Sequence, residues 1–289
     1  NSLEIARTDV AGGGSTNDAA TIGTLNLNGG ELAVAGTIQN FNGTANVNLA
    51  GGTLRFGTLA KGAGAFTFNW TGGEIANVTG QNLTVTNVQL GLSAGPHTFT
   101  VDAGQTATVQ AAAALNGTGD LVKAGDGNLV LSGNNVVNVT TDVTAGTLTV
   151  NGLHDSNVIV RSGAFLMGTG VINGSVTAEA GATVAPGLSP GDLESGDLTL
   201  DPGSTLVIEI DGVTPNSQHD QYIATGVVTL TDALLVVHLT HALAPGEQIV
   251  IIDNQGVDPV NGTFLGLPQG TTFFATSGNV GIPLEVIYN

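Results

Sequence analysis

A short unit that cannot bury its own apolar face recurs along this chain, and that recurrence limits what the chain can fold into. Residues alternate apolar and polar, break at a glycine-bearing corner, and alternate again. The unit reads TLNLNGGELAVAG at 24–36, NVNLAGGTLRFG at 46–57 and TFNWTGGEIANVTG at 67–80. It returns at 99–111, 121–133, 141–152, 158–170, 176–187 and 198–212. The corner glycines are Gly30, Gly52, Gly73, Gly104, Gly127, Gly146, Gly163, Gly181 and Gly203. The widest interval, Gly73 to Gly104, reads as a longer or irregular coil. A period of two turns one face of each strand inward. Each corner needs a residue that tolerates positive φ. Units of this size bury their apolar face by stacking on one another, which predicts a β-solenoid. The competing geometry is a β-sandwich of hairpins, which favours two-residue Asn-Gly or Asp-Gly turns and a repeat about half as long.

Composition agrees with strands rather than helices. Only 10% of the 289 residues are charged, so there is little material for the surfaces of helices. Apolar residues make up 41%, too many for a disordered chain despite 44 glycines. Five Lys and Arg stand against 23 Asp and Glu, a net charge of −18. That balance argues against nucleic acid and anionic membrane surfaces, both of which need clustered cations. With no cysteine, disulfides, zinc–thiolate sites and Cys nucleophiles are excluded. No signal peptide or transmembrane run is visible, so direct membrane insertion is not expected. The first residue is Asn1 rather than Met, which reads as a mature or trimmed piece of a longer precursor.

The pattern changes after Gly212. Longer apolar runs at 222–230, 233–239, 248–253 and 284–288 are punctuated by Pro245, Pro259, Pro268 and Pro283. Residues 1–212 are expected to form the parallel β-helix repeats. Residues 213–289 are expected to form final coils and an atypical C-terminal β cap, because the last unit of a stack must cover its exposed end. A separate small β-sandwich is the alternative for this tail. The one helix-like run, 111–115, is too short to assign.

Several of these stretches resemble a known family. LVKAGDGNLVLSG at 121–133 resembles the autotransporter-associated β-strand repeat, and VTAGTLTV at 143–150 fits the same pattern. So does VAPGLSPG at 184–191 followed by DLTLDPGSTL at 197–206. In the tail, IIDN at 251–254, GTF at 262–264 and Leu267 are similar to the C-terminal part of such passenger proteins. The resemblance is clearest over 117–289. It implies a right-handed parallel β-helix in an exported bacterial protein, extracellular or on the cell surface. It carries no common catalytic residues. No membrane β-barrel follows in this sequence, a departure that leaves the secretion route and any anchor open.

Candidate chemistry is sparse. Gly187-Leu-Ser189-Pro-Gly191 matches the nucleophile-elbow pattern, but the residue after the serine is Pro190. Proline has no N–H to offer an oxyanion hole, so a turn is expected. His238 and His241 stand three apart on an apparent strand, so they point to opposite faces and do not share a metal. His97, His154 and His219 are read with them as surface or packing residues. Arg7, Arg55 and Arg161 are single and far apart, and no set of acids is grouped for glycoside chemistry. The acids Asp192, Glu194, Asp197, Asp201, Glu209, Asp211 and Asp220 have no cation between them. They read as a solvated acidic edge, with loop-bound calcium as the alternative. Otherwise no cofactor is expected. Phe66, Phe68 and Trp70 share one strand face, filling the core or, if exposed, stacking on sugar rings. Eight Asn-x-Ser/Thr sequons start at Asn42, Asn69, Asn77, Asn82, Asn116, Asn138, Asn173 and Asn261 and are candidate glycosylation sites.

The expected function is therefore that of a non-enzymatic extracellular structural protein. Self-assembly head to tail into fibres or a surface layer is its expected mode, since an uncapped solenoid end templates further pairing. The segment 1–10, with Leu3 and Ile5 alternating, is a candidate for pairing with the end of a neighbouring subunit. An adhesin or glycan-binding passenger module is the alternative, and a carbohydrate-active β-helix enzyme the weakest reading.

Overall fold

The computed structural model describes residues 2–6, 8–10, 14–16, 21–137, 139–240, 243–244, 246–277 and 280–288. Among them there is no helix, and parallel strands stack as a β-solenoid. The chain divides into two compact units, Asn1–Thr141 and Asp142–Asn289.

In the first unit each coil carries three strands. One coil is Phe66–Trp70, Glu74–Asn77 and Leu83–Thr86, and the next is Gln89–Leu92, Pro96–Thr100 and Thr106–Val109. Each of these strands pairs in parallel with the strand three places along: Phe68 with Leu90, Ile75 with Phe99, Val85 with Val109. Before them, Ile22–Asn40 and Thr44–Ala60 each run through most of a coil, with Leu25 beside Val47, Leu32 beside Leu54 and Ile38 beside Leu59. The alternation reaches the interior as expected. Val47, Leu49, Leu54, Phe56 and Leu59 are at most 1% exposed. Burying each such side chain contributes about 1.5–3 kcal/mol, so the stack rather than any single coil holds the fold.

The sequence shows two strands around a corner, whereas the structure has three per coil. The third side, as in Leu83–Thr86, is only four residues long and merges with its flanks in a pattern reading. The wide interval between Gly73 and Gly104 is corrected by the same fact. Gly73 turns the first side into the second, and Gly104 turns the second side into the third. The strands spanning that interval pair Glu74 with Thr98, an ordinary offset of 98 − 74 = 24 residues. A second correction concerns Gly127. The positive φ at that corner belongs to Gly125, at 72°. Gly127 is small for another reason: a Cβ there would lie 2.3 Å from the Asp102 carbonyl oxygen of the preceding coil.

In the second unit the coils lengthen. Val158 pairs with Val176, Val176 with Leu198, and Leu198 with Val228, offsets of 18, 22 and 30 residues. The last increase is absorbed by the segment 211–220, which loops out after the strand Thr205–Ile210. Parallel pairing continues past Gly212 through Gln221–Ala224, Val228–Thr231 and Leu234–Leu239. The strand Thr272–Ser277 pairs in parallel with Leu234–Leu239 at Thr276 beside His238, and antiparallel with Val280–Glu285. The run at 111–115 is not helical; its end belongs to the strand Ala114–Gly117.

Candidate functional site

On the first side of the first unit, the outward residues form an uncharged polar face. Asn26, Asn48 and Asn69 occupy one register position on successive coils. Asn48 Nδ2 donates to Asn26 Oδ1 at 2.7 Å, and Asn69 Nδ2 donates to Asn48 Oδ1 at 2.8 Å. Such a ladder satisfies amides that would otherwise compete with the strand backbone. It stops at the next coil, where the register position holds Gly91, followed by Asn116. Asn116 Nδ2 turns sideways to Gln89 Oε1 at 3.0 Å. The missing side chain leaves a shallow groove lined by Asn69, Thr71, Gly91, Ser93 and Asn116.

Two cations of this unit are held by its own groups. Arg55 Nε donates to Glu31 at 3.1 Å and its Nη1 to the Asn77 carbonyl at 2.8 Å. Lys123 is fully buried, and its ammonium donates to the carbonyls of Ala124 and Gly125 at 3.0 and 2.6 Å. Burial pushes its pKa down to about 8, against the opposing pull of Asp126. In the second unit Arg161 bridges three coils by binding Asp142 at 2.7 Å and Glu179. Arg7 lies outside the described residues.

Of the two readings of the aromatic stretch, core filling holds for Phe68 and Trp70 and the sugar platform does not. Trp70 is fully buried and Phe68 is 2% exposed; only Phe66 is partly open. Trp70 packs edge-on against His97 and Phe99, with centroids 5.1 and 6.1 Å away, and His97 Nε2 lies 2.7 Å from the Trp70 carbonyl. Those side chains fill a wide section of the core.

Of the other histidines, His154 and His219 are also buried, His238 is exposed, and His241 lies outside the described residues. Burial pushes the pKa of His154 down to about 4. The sequons divide likewise. Asn69, Asn82, Asn173 and Asn261 are exposed, Asn42 and Asn116 are half-buried, and Asn138 lies outside the described residues. Asn77 is fully buried, and its amide donates to Val78, Gln81 and Asp102, so the folded chain offers no room for a glycan there.

The pattern at 187–191 forms a turn in which Ser189 precedes a cis Pro190. Sequence reasoning missed what holds this turn. Asp220 accepts the Gly191 N–H at 3.0 Å and the Glu209 N–H at 2.8 Å, joining it to the segment 211–220. Burial pushes the Asp220 pKa up to about 6, with Glu209 and Asp211 adding repulsion and the two N–H bonds opposing. The lone signal in sequence is an Asp beside a His after a polar loop, which is too common to read. Among the described residues no three His, Asp or Glu side chains gather to hold a metal ion.

No family model matches the chain. Among curated proteins, it is 36% identical over 97 residues to an extracellular serine protease of Serratia marcescens. The match covers 33% of this chain and 9% of that protein, so this chain corresponds to a small part of its length. The similarity and the parallel solenoid together fit a passenger-like extracellular protein. No described helix is long and apolar enough to cross a membrane.

Proposed function

We propose that this chain is a non-enzymatic structural segment of an extracellular or cell-surface bacterial protein, and that it associates end to end through its first coil. The observation that carries this reading is an open strand edge. Ile22–Asn40 pairs with Thr44–Ala60 along one edge. On its other edge, among the described residues, only Ile38, Gln39 and Asn40 are paired, with Leu3–Ile5. Thr37 N–H donates to Ser2 Oγ, and among the described residues the stretch from Ile22 to Leu27 has no strand partner on that edge; Ile22 there is 70% exposed, with Leu25 and Leu27 half-buried. Such an edge is a template for another strand. Unlike ends that meet without closing a ring propagate. The expected partner is thus a second copy of the chain. Sedimentation over a concentration series tests this: the wild type forms growing oligomers, and Ile22→Asp with Thr24→Asp abolishes them. A wild type that stays monomeric at the highest concentration overturns it.

The groove at Gly91 favours a second reading, a glycan-binding module. Neutral amides and hydroxyls suit neutral sugars. The expected result is binding of a neutral oligosaccharide in the millimolar range, lost in Asn69→Asp with Asn116→Asp. No binding on a glycan array removes this reading without touching the first.

A further inference from the structure

One side of the second unit turns an apolar face outward. The strands Phe165–Gly168, Thr183–Pro186, Thr205–Ile210 and Leu234–Leu239 lie there in parallel register, with Phe165 beside Thr183, Thr205 beside Leu234 and Val207 beside Val236. Leu166, Leu206 and Ile208 are buried in the core, so the residues between them point out. Their central row runs through Met167, Ala185, Val207 and Val236, and on to Phe274 and Pro283 of the last hairpin. Phe274 is 70% exposed, and Phe165, Leu234 and Val236 are exposed as well. The strand Leu234–Leu239 reads LLVVHL, apolar at every position but His238. Such a run is the mark of a parallel strand covered on both faces, whereas here only the inner face is covered.

We propose that this face docks a second copy of the chain, sheet on sheet, about a two-fold axis that runs along the strands between Thr205–Ile210 and Leu234–Leu239. That axis lays Val207 of each copy on Val236 of the other, and sets the small Ala185 against the protruding Phe274. Beside the row, Glu209 and His238 are outward neighbours on adjacent strands. The same axis brings Glu209 of each copy to the other copy's His238, a carboxylate to an imidazole N–H donor. Charge also selects this occupant. The chain carries a net −18, so two copies repel wherever their acids meet, and the central row holds no acid. The same acidity, with no Lys or Arg after Arg161, opposes an anionic membrane in this place. Six strands at about 4.8 Å, with two outward positions each, give a footprint of about 29 Å by 14 Å, or about 400 Å² per copy. Stable pairs bury about 800 Å² per partner, so this contact is weak and fills only at high concentration. It uses a different surface from the open edge of the first coil.

Sedimentation of the full chain carrying Ile22→Asp and Thr24→Asp tests the docking, because those substitutions stop growth from the first coil. The weight-average mass is expected to rise toward that of two copies as the concentration nears the millimolar range, and to stop there, since a two-fold contact closes. Adding Val236→Asp sets like charges against the apolar row and is expected to weaken pairing about tenfold or more. Val236 is exposed, so the urea midpoint is expected to hold. Should that variant disturb the fold, Phe274→Asp at the more exposed position gives the same reading. A chain that stays monomeric throughout overturns the proposal. So does pairing that survives both Val236→Asp and Phe274→Asp, or growth past two copies. Capture by neutral phosphatidylcholine vesicles in place of pairing also overturns it, because a lipid surface is then the occupant. None of these outcomes touches the reading of the first coil, whose test is the growth of wild-type oligomers.

Discussion

Single residues set the chemistry of this interior, and two of them make stability depend on pH in opposite senses. His154 is buried neutral, with its pKa lowered from 6.5 to about 4. The unfolded chain therefore takes up the proton first. The contribution of His154 is present in full above pH 6.5 and is lost as pH falls toward 4. Asp220 is raised from 3.8 to about 6, so the folded chain takes up the proton first. Its contribution is present below about pH 4 and is lost as pH rises through 6. Urea unfolding across pH 4–8 is expected to show both limbs. His154→Gln flattens the acid loss, and Asp220→Asn flattens the gain. Trp70 tests the core itself. Removing a fully buried indole that packs on His97 and Phe99 leaves a cavity, and Trp70→Ala is expected to lower the unfolding free energy by about 3–5 kcal/mol.

At the scale of the strand and its corner, coils approach so closely that some positions admit no side chain. Gly168 adopts φ 122°, and a Cβ there would lie 2.0 Å from the Val150 carbonyl oxygen. Gly168→Ala is expected to cost at least about 1–3 kcal/mol, read as a lowered urea midpoint. Arg161→Ala is expected to cost less than about 1 kcal/mol, because the side chain is 39% exposed, and to cost nothing measurable in high salt. Much of this scale was legible in the sequence. Alternation such as Val47 and Leu49 fixes which side faces inward, and Gly30, Gly52 and Gly73 take positive φ where the corners were expected. The third side was not legible, because strands of four residues carry too few alternations to stand out. The role of Gly127 was hidden because it answers to a carbonyl on another coil. For the same reason Asp220 and Gly91 gained meaning only from neighbours on other coils. The alternation of Phe68 and Trp70 with Thr67 and Asn69 already favoured the core for both rings, as their burial shows.

For the molecule as a whole, the proposed end-to-end association requires coils that lie on one another in parallel register. Thr37, Thr58, Thr84 and Thr108 occupy one register position on four successive coils of the first unit. They are 108 − 37 = 71 residues apart from first to last and three inter-strand spacings apart in space. Spin labels attached through cysteines at Thr37 and Thr108 report that separation directly, and no native cysteine interferes. The stack predicts a distance of about 14–15 Å plus the reach of the labels. A broad distribution centred well beyond about 30 Å would contradict the parallel register, and with it the proposed end-to-end association.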